Sequence, residues 1–114
     1  DAMLPRMLAT DSRDLKLRNS VRDLMNPLRA EGISWAQLAI AARPDFSNLL
    51  RDIECPALVA CGEKDAVVQL EESGIMAAGF PHGRLEVIEN AGHMLSWEQP
   101  NAFDSALEKW LDQL

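Results

Sequence analysis

Apolar positions along the chain change their spacing twice, and each change marks a change of structure. From residue 17 onward Leu17, Val21, Leu24, Met25 and Leu28 recur at intervals of three and four, the repeat of one face of a helix. Asp11 or Ser12 is the expected N-cap of that helix and Gly32 the expected stop. A second helix is predicted in "ISWAQLAIAARPD": Ser34 and Gln37 have capping-box spacing, Trp35, Leu38, Ala39 and Ala42 form a stripe, and Pro44 ends it. "FSNLLRDI" reads as a short helical turn. The first third of the chain is therefore helical.

The periodicity then disappears. "PALVACG", residues 56–62, is apolar without alternation and is bounded by proline and glycine, the pattern of a strand buried on both faces of a parallel sheet. Gln69 to Phe80 is predicted helical, although Gly74 and Gly79 each weaken it by about 1 kcal/mol relative to alanine. "RLEVI", residues 84–88, is a second strand, and "ENAGHMLSWEQ" is a loop. In the last segment Phe103, Ala106, Leu107, Trp110, Leu111 and Leu114 share one face of a helix opened by Pro100, where a missing N–H costs nothing. Strand, helix, strand, helix is the order of a βαβα unit with parallel strands. No internal repeat or low-complexity segment is present.

Two strands are too few. A strand as apolar as "ALVAC" needs cover above and below, and a two-stranded sheet is too small to stand alone. The remaining strands are expected from another chain, a second copy, or a segment outside these residues. The first residue is Asp1, which is consistent with a processed or excised chain.

Composition narrows the class. Of 114 residues, 47% are hydrophobic and 25% charged, which fits one domain of a soluble globular type. The net charge is −7 and no basic run occurs, so no cationic face is available for nucleic acid. No run of 18 apolar residues forms a membrane span, and the first residues lack the order of a signal peptide. Cys55 and Cys61 are separated by roughly 20 Å of extended chain, beyond disulfide reach. Free thiols point to a reducing compartment, and the cytoplasm is the expectation. With Cys55, Cys61, His82 and His93, no metal-ligand spacing appears.

Chemistry in an open parallel sheet gathers at the carboxyl ends of its strands. Asp65, in "CGEKD", follows the first strand, and His93, in "NAGH", follows the second. Neighbouring strands would bring both to one rim, where a carboxylate fixes the imidazole tautomer and stabilises the imidazolium. Each residue also has a plainer reading: a packed or solvated histidine, and a turn aspartate in Gly-Glu-Lys-Asp. His82, between Pro81 and Gly83, reads as an exposed turn residue. Met94, Leu95 and Trp97 are either substrate-pocket lining or core. Trp35 and the methionines at 3, 7 and 25 either pack between helices, the simpler reading, or face a pocket. Glu63 and Glu98 read as solvated, or, for Glu98, as a carboxylate at a helix start.

"IECPALVACGEKDAVV", followed by "AAGFPHGRLEVIENAGHMLSWEQPNAF", resembles the C-terminal portion of the α/β-hydrolase superfamily. Gly62 and Asp65 match its G-x-x-D acid setting, Ala91, Gly92 and His93 its A-G-H setting, and Glu98, Pro100 and Phe103 its E-x-P-x-x-F helix start. The resemblance implies an α/β fold. Residues 1–52 would be a helical cap-domain segment, as in esterase, lactonase and haloperoxidase-like members, and residues 53–114 the C-terminal βαβα part of the core. It implies Asp65 as the acid and His93 as the base of a nucleophile-His-Asp triad acting on a small ester or lactone, with no cofactor.

The departure is as informative as the match. No G-x-S-x-G elbow is present: the serines at 12, 20, 34, 47, 73, 96 and 105 lack the flanking glycines, and Cys61 has no elbow around it. The oxyanion-hole loop is missing too. The expectation is a chain inactive by itself, with the nucleophile supplied by an N-terminal half or a second copy. An aspartate nucleophile, as in dehalogenase-like relatives, would leave the same residues behind. The rival reading is a truncated, non-catalytic binding or assembly module that pairs its strand edge with itself or a partner.

Overall fold

A computed structural model of the chain describes residues 3–9 and 11–114. In chain order its elements are α1 (Leu4–Met7), α2 (Leu15–Met25), α3 (Ala30–Ala41), a 3₁₀ turn (Ser47–Asp52), β1 (Ala57–Gly62), α4 (Leu70–Gly79), β2 (Gly83–Ile88), α5 (Leu95–Glu98) and α6 (Pro100–Leu111).

The βαβα half follows the sequence pattern closely. β1 and β2 pair in parallel, with Ala57 opposite Gly83 and Gly62 opposite Ile88, and α4 makes the crossover. α4 opens on a capping box in which the Gln69 side chain and Glu72 each satisfy the other residue's backbone N–H. Pro100 occupies the first turn of α6, as expected. The ladder runs on past the strands: Glu63 N–H donates to Ile88 O at 3.0 Å and Lys64 N–H to Ala91 O at 2.8 Å. The loops that follow the two strands are thereby laid side by side.

The helical half departs from expectation at its boundaries. The N-cap of α2 is Asp14, whose carboxylate accepts Leu17 N–H at 2.9 Å, in place of Asp11 or Ser12. α2 ends at Met25, two residues before Pro27, so Leu28 lies beyond it. Gly32 does not stop a helix. It lies inside α3, which begins at Ala30, and this places Ser34 in the helix interior where its capping-box spacing has no terminus to cap. α1 and α5, each four residues long, were too short to leave a periodic signal. α5 falls within the segment read as loop.

Two small cores hold the chain together. Leu4, Leu8 and Val21 are buried, with Leu17, Met25 and Met94 packed against them; Ile88, Ala91 and Ala106 form the second, with Leu95 against it. α3 buries none of its residues. Trp35, expected in a packed stripe, is 72% exposed. On α6 only Ala106 of the expected face is buried; Leu111 at its end is exposed, as is Leu114, which lies beyond the helix. In β1, Cys61 and Gly62 are buried while Ala57 to Ala60 are half-buried, so within the described residues the strand lacks the two-sided cover its composition calls for. The sheet among these residues has two strands. None of the helices in the described residues is long and apolar enough to cross a membrane.

Candidate active site

Asp65 and His93 reach the same rim because their loops are stitched together behind them. Besides the two ladder bonds, Asn90 N–H donates to Glu63 Oε2 at 3.0 Å, and Lys64 Nζ donates to Asn90 Oδ1 at 3.0 Å. Asn90 adopts φ 57°, a left-handed conformation that asparagine tolerates. Lys64 Nζ also pairs with Asp11 Oδ2 at 2.6 Å. Gly62 and Gly92 are required at their positions by close approach: a Cβ on Gly62 would collide with the carbonyl oxygens of Ala91 and Gly92, and one on Gly92 with the backbone of Leu8 and Ala9.

The Asp65 carboxylate divides its work between its two oxygens. Oδ1 accepts Val67 N–H at 2.7 Å and Val68 N–H at 3.0 Å, which is the turn role. Oδ2 meets His93 Nδ1 at 2.9 Å. Burial alone would raise this carboxyl's pKa; the hydrogen bonds from His93, Val68 and Val67 outweigh it and hold the group below the usual carboxylate range. Asp65 is therefore ionised at neutral pH. An ionised carboxylate only accepts, so Nδ1 is the donor of this pair, and in the neutral ring the lone pair falls on Nε2. The Asp65 side chain is 5% exposed and that of His93 34%, so the acid is sheltered while the ring meets solvent.

The other predicted site residues separate. Met94 lines an open groove of about 650 Å³ together with Met3, Met7, Val21, Met25 and Leu28. Met3, Met7 and Met25 border this groove, and Met25 also packs against the Leu4, Leu8 and Val21 core, as helix packing leads one to expect. Leu95 packs against the Ile88, Ala91 and Ala106 core. Trp97 is exposed and does not line this groove, and Trp35 does not reach it either. His82 is exposed in a turn. Among the described residues no group of three His, Cys, Asp or Glu side chains stands close enough to hold a metal ion.

Sequence reasoning missed Glu98. Far from being merely solvated, its Oε1 accepts Ala9 N–H at 2.6 Å and its Oε2 accepts Gly92 N–H at 2.7 Å. The residue was visible in the E-x-P helix start, but nothing local indicated a partner 89 positions upstream.

The profile of the alpha/beta hydrolase fold family matches residues 3–100, and the chain belongs to that family. It is 34% identical over 61 residues to 2-hydroxy-6-oxononadienedioate/2-hydroxy-6-oxononatrienedioate hydrolase 2 of Pseudomonas putida, a match covering 54% of this chain and 21% of that protein. It is 41% identical over 61 residues to (E)-2-((N-methylformamido)methylene)succinate hydrolase of Acinetobacter baylyi, covering 54% and 23%. Among solved structures, a thermophilic esterase from Thermogutta terrifontis, malate bound, superposes with a TM-score of 0.89 at 33% identity, over 98% of this chain and 42% of that one. A bromoperoxidase from Bacillus anthracis shares the fold at TM-score 0.81 and 22% identity. The chain thus spans less than half the length of these relatives.

Proposed function

We propose that the chain is the C-terminal part of an ester- or lactone-hydrolysing α/β-fold hydrolase, with residues 1–52 a cap-domain segment and residues 53–114 part of the core. The observation that carries this reading is the 2.9 Å pairing of His93 Nδ1 with Asp65 Oδ2 at the carboxyl ends of adjacent parallel strands. The relatives named as hydrolases and as an esterase support the reaction class.

In this reading His93 Nε2 takes the proton of a nucleophile as it attacks the substrate carbonyl, and Asp65 stabilises the resulting imidazolium. His93 then returns the proton to the leaving oxygen. In the second half it draws a proton from water, which attacks the acyl group; as the acyl–nucleophile bond breaks, His93 gives that proton back to the nucleophile and the acid product is released. The nucleophile and the oxyanion donors come from outside these residues, on an N-terminal half or a second copy, and no cofactor takes part.

Hydrolysis of a chromogenic acetate or butyrate ester tests it. The 114-residue chain alone is expected to be inactive, and mixing with a family chain that carries a G-x-S-x-G elbow is expected to yield turnover that His93→Ala abolishes. Turnover by the mixture that survives His93→Ala sinks the reading, as does His93-dependent turnover by the isolated chain.

A second reading, a non-catalytic assembly module, draws on the bare apolar surface of α3 and the short two-stranded sheet. Stable association with no recovered hydrolysis would favour it.

A further inference from the structure

His93 is anchored through its two chain neighbours to the same distant segment. On its N-terminal side, Gly92 N–H reaches Glu98 Oε2 at 2.7 Å while Glu98 Oε1 takes Ala9 N–H at 2.6 Å. On its C-terminal side, Met94 N–H donates to Met7 O at 3.0 Å. Residues 7–9 are firm ground for such an anchor, because Leu8 and Ala9 are buried and Leu8 belongs to a core cluster. Glu98 is brought back to the loop by α5, whose last turn returns its N–H to Met94 O at 3.0 Å. The fit leaves no slack. A Cβ on Gly92 would stand 3.0 Å from Glu98 Oε2 and against the backbone of residues 8 and 9.

We propose that Glu98 is a positioning residue for His93: its carboxylate bridges the amides of Gly92 and Ala9 and so holds the imidazole at hydrogen-bonding distance from Asp65. A carboxylate suits the task because both its oxygens accept, and among the described residues no other side chain accepts from both segments. An amide side chain has one accepting oxygen and turns a donor toward the other N–H. Glutamine therefore holds one end of the bridge, and alanine neither. The role in catalysis rests on the reading of His93 as the base, but the bridge and its effect on the ring can be observed without any substrate.

The chain contains two histidines, so ring nitrogen signals of the ¹⁵N-labelled full chain are assigned with His82→Asn, a change at an exposed turn. The unsubstituted chain is expected to show one His93 tautomer, protonated at Nδ1. Glu98→Gln is expected to mix in the Nε2-protonated form, and Glu98→Ala to do so to a greater extent. Ala77→Gly, which weakens α4 at a buried position away from the site, is the control for stability loss alone and should leave the ring unchanged. Ring spectra of both Glu98 variants that superimpose on the parent overturn the proposal, as does an equal change in Ala77→Gly. If neither Glu98 variant folds, amide exchange in the parent decides. Ala9 and Gly92 protected alongside Val67 and Val68 supports the bridge, and exchange at open-loop rates refutes it. Glu98-dependent ring spectra combined with no recovered hydrolysis would spare this role while removing the hydrolase reading.

Discussion

Gly62, at the end of β1, leaves no room for a β-carbon, which would collide with the carbonyl oxygens of Ala91 and Gly92, the two residues that precede His93. The acid loop and the base loop are in backbone contact there, and no side chain fits between them. Gly62→Ala is expected to destabilise the chain by about 1–3 kcal/mol, because the obstructing atoms are carbonyl oxygens that no rotamer change moves aside. A lowered urea midpoint, together with loss of the single His93 tautomer, checks it. An unchanged midpoint would mean the loops are looser than the geometry shows.

The Asp65 carboxylate gives stability a sign with pH. Asp65 has a folded pKa below its ordinary 3.8, so the stability it contributes is present above that value and is lost as pH falls through the folded pKa. Asp65→Asn removes this contribution. The gap in unfolding free energy between parent and variant is expected to be constant near neutrality and to close at low pH. Urea titrations at pH 7 and pH 3 measure it, and a gap that widens in acid would contradict the assignment.

Substituting the cap of α2 should damage the helical half alone. Asp14→Ala removes the acceptor for Leu17 N–H, at a cost of about 1 kcal/mol. The thermal midpoint should fall while the ring signals of His93 stay in place. A shift of those signals would reveal a coupling between α2 and the rim that the hydrogen bonds do not contain.

Exposed apolar residues on α3 predict association. Ile33, Trp35, Leu38 and Ile40 all stand in solvent. Light scattering is expected to show mass rising with concentration, and Trp35→Ser with Leu38→Ser to reduce it without loss of helical circular dichroism. A monomer at every concentration would remove the case for a partner at this face.

The sequence was most legible where local chemistry alone fixes an element. Pro100 opens α6 in the position suited to proline, and the uninterrupted apolar run of residues 57–61 lies in β1. It was least legible in the helical half, where composition without packing offers several equivalent starts. Asp11, Ser12 and Asp14 are all able cap residues, and only the placement of Leu17 N–H selects Asp14. Ser34 and Gln37 had the spacing of a cap but lie inside a helix that starts four residues sooner. For the rim, the G-x-x-D and A-G-H patterns pointed to Asp65 and His93, which lie 2.9 Å apart. Glu98 was not legible as a bridge, because its partners lie 6 and 89 positions away and are backbone amides, which carry no residue-type signature.

The two thiols, finally, are unequal in a usable way. Cys61 is buried, and burial pushes its thiol pKa up; the hydrogen bond with Ser73 opposes this and the charge of Asp65 adds to it. Cys55 is exposed, two residues ahead of the first strand. A maleimide dye at neutral pH should therefore attach once per chain, at the threshold of β1, with no need to engineer a labelling site. Its emission would register any polypeptide that settles along that margin, which turns the question of whether a further strand joins the sheet into a fluorescence titration.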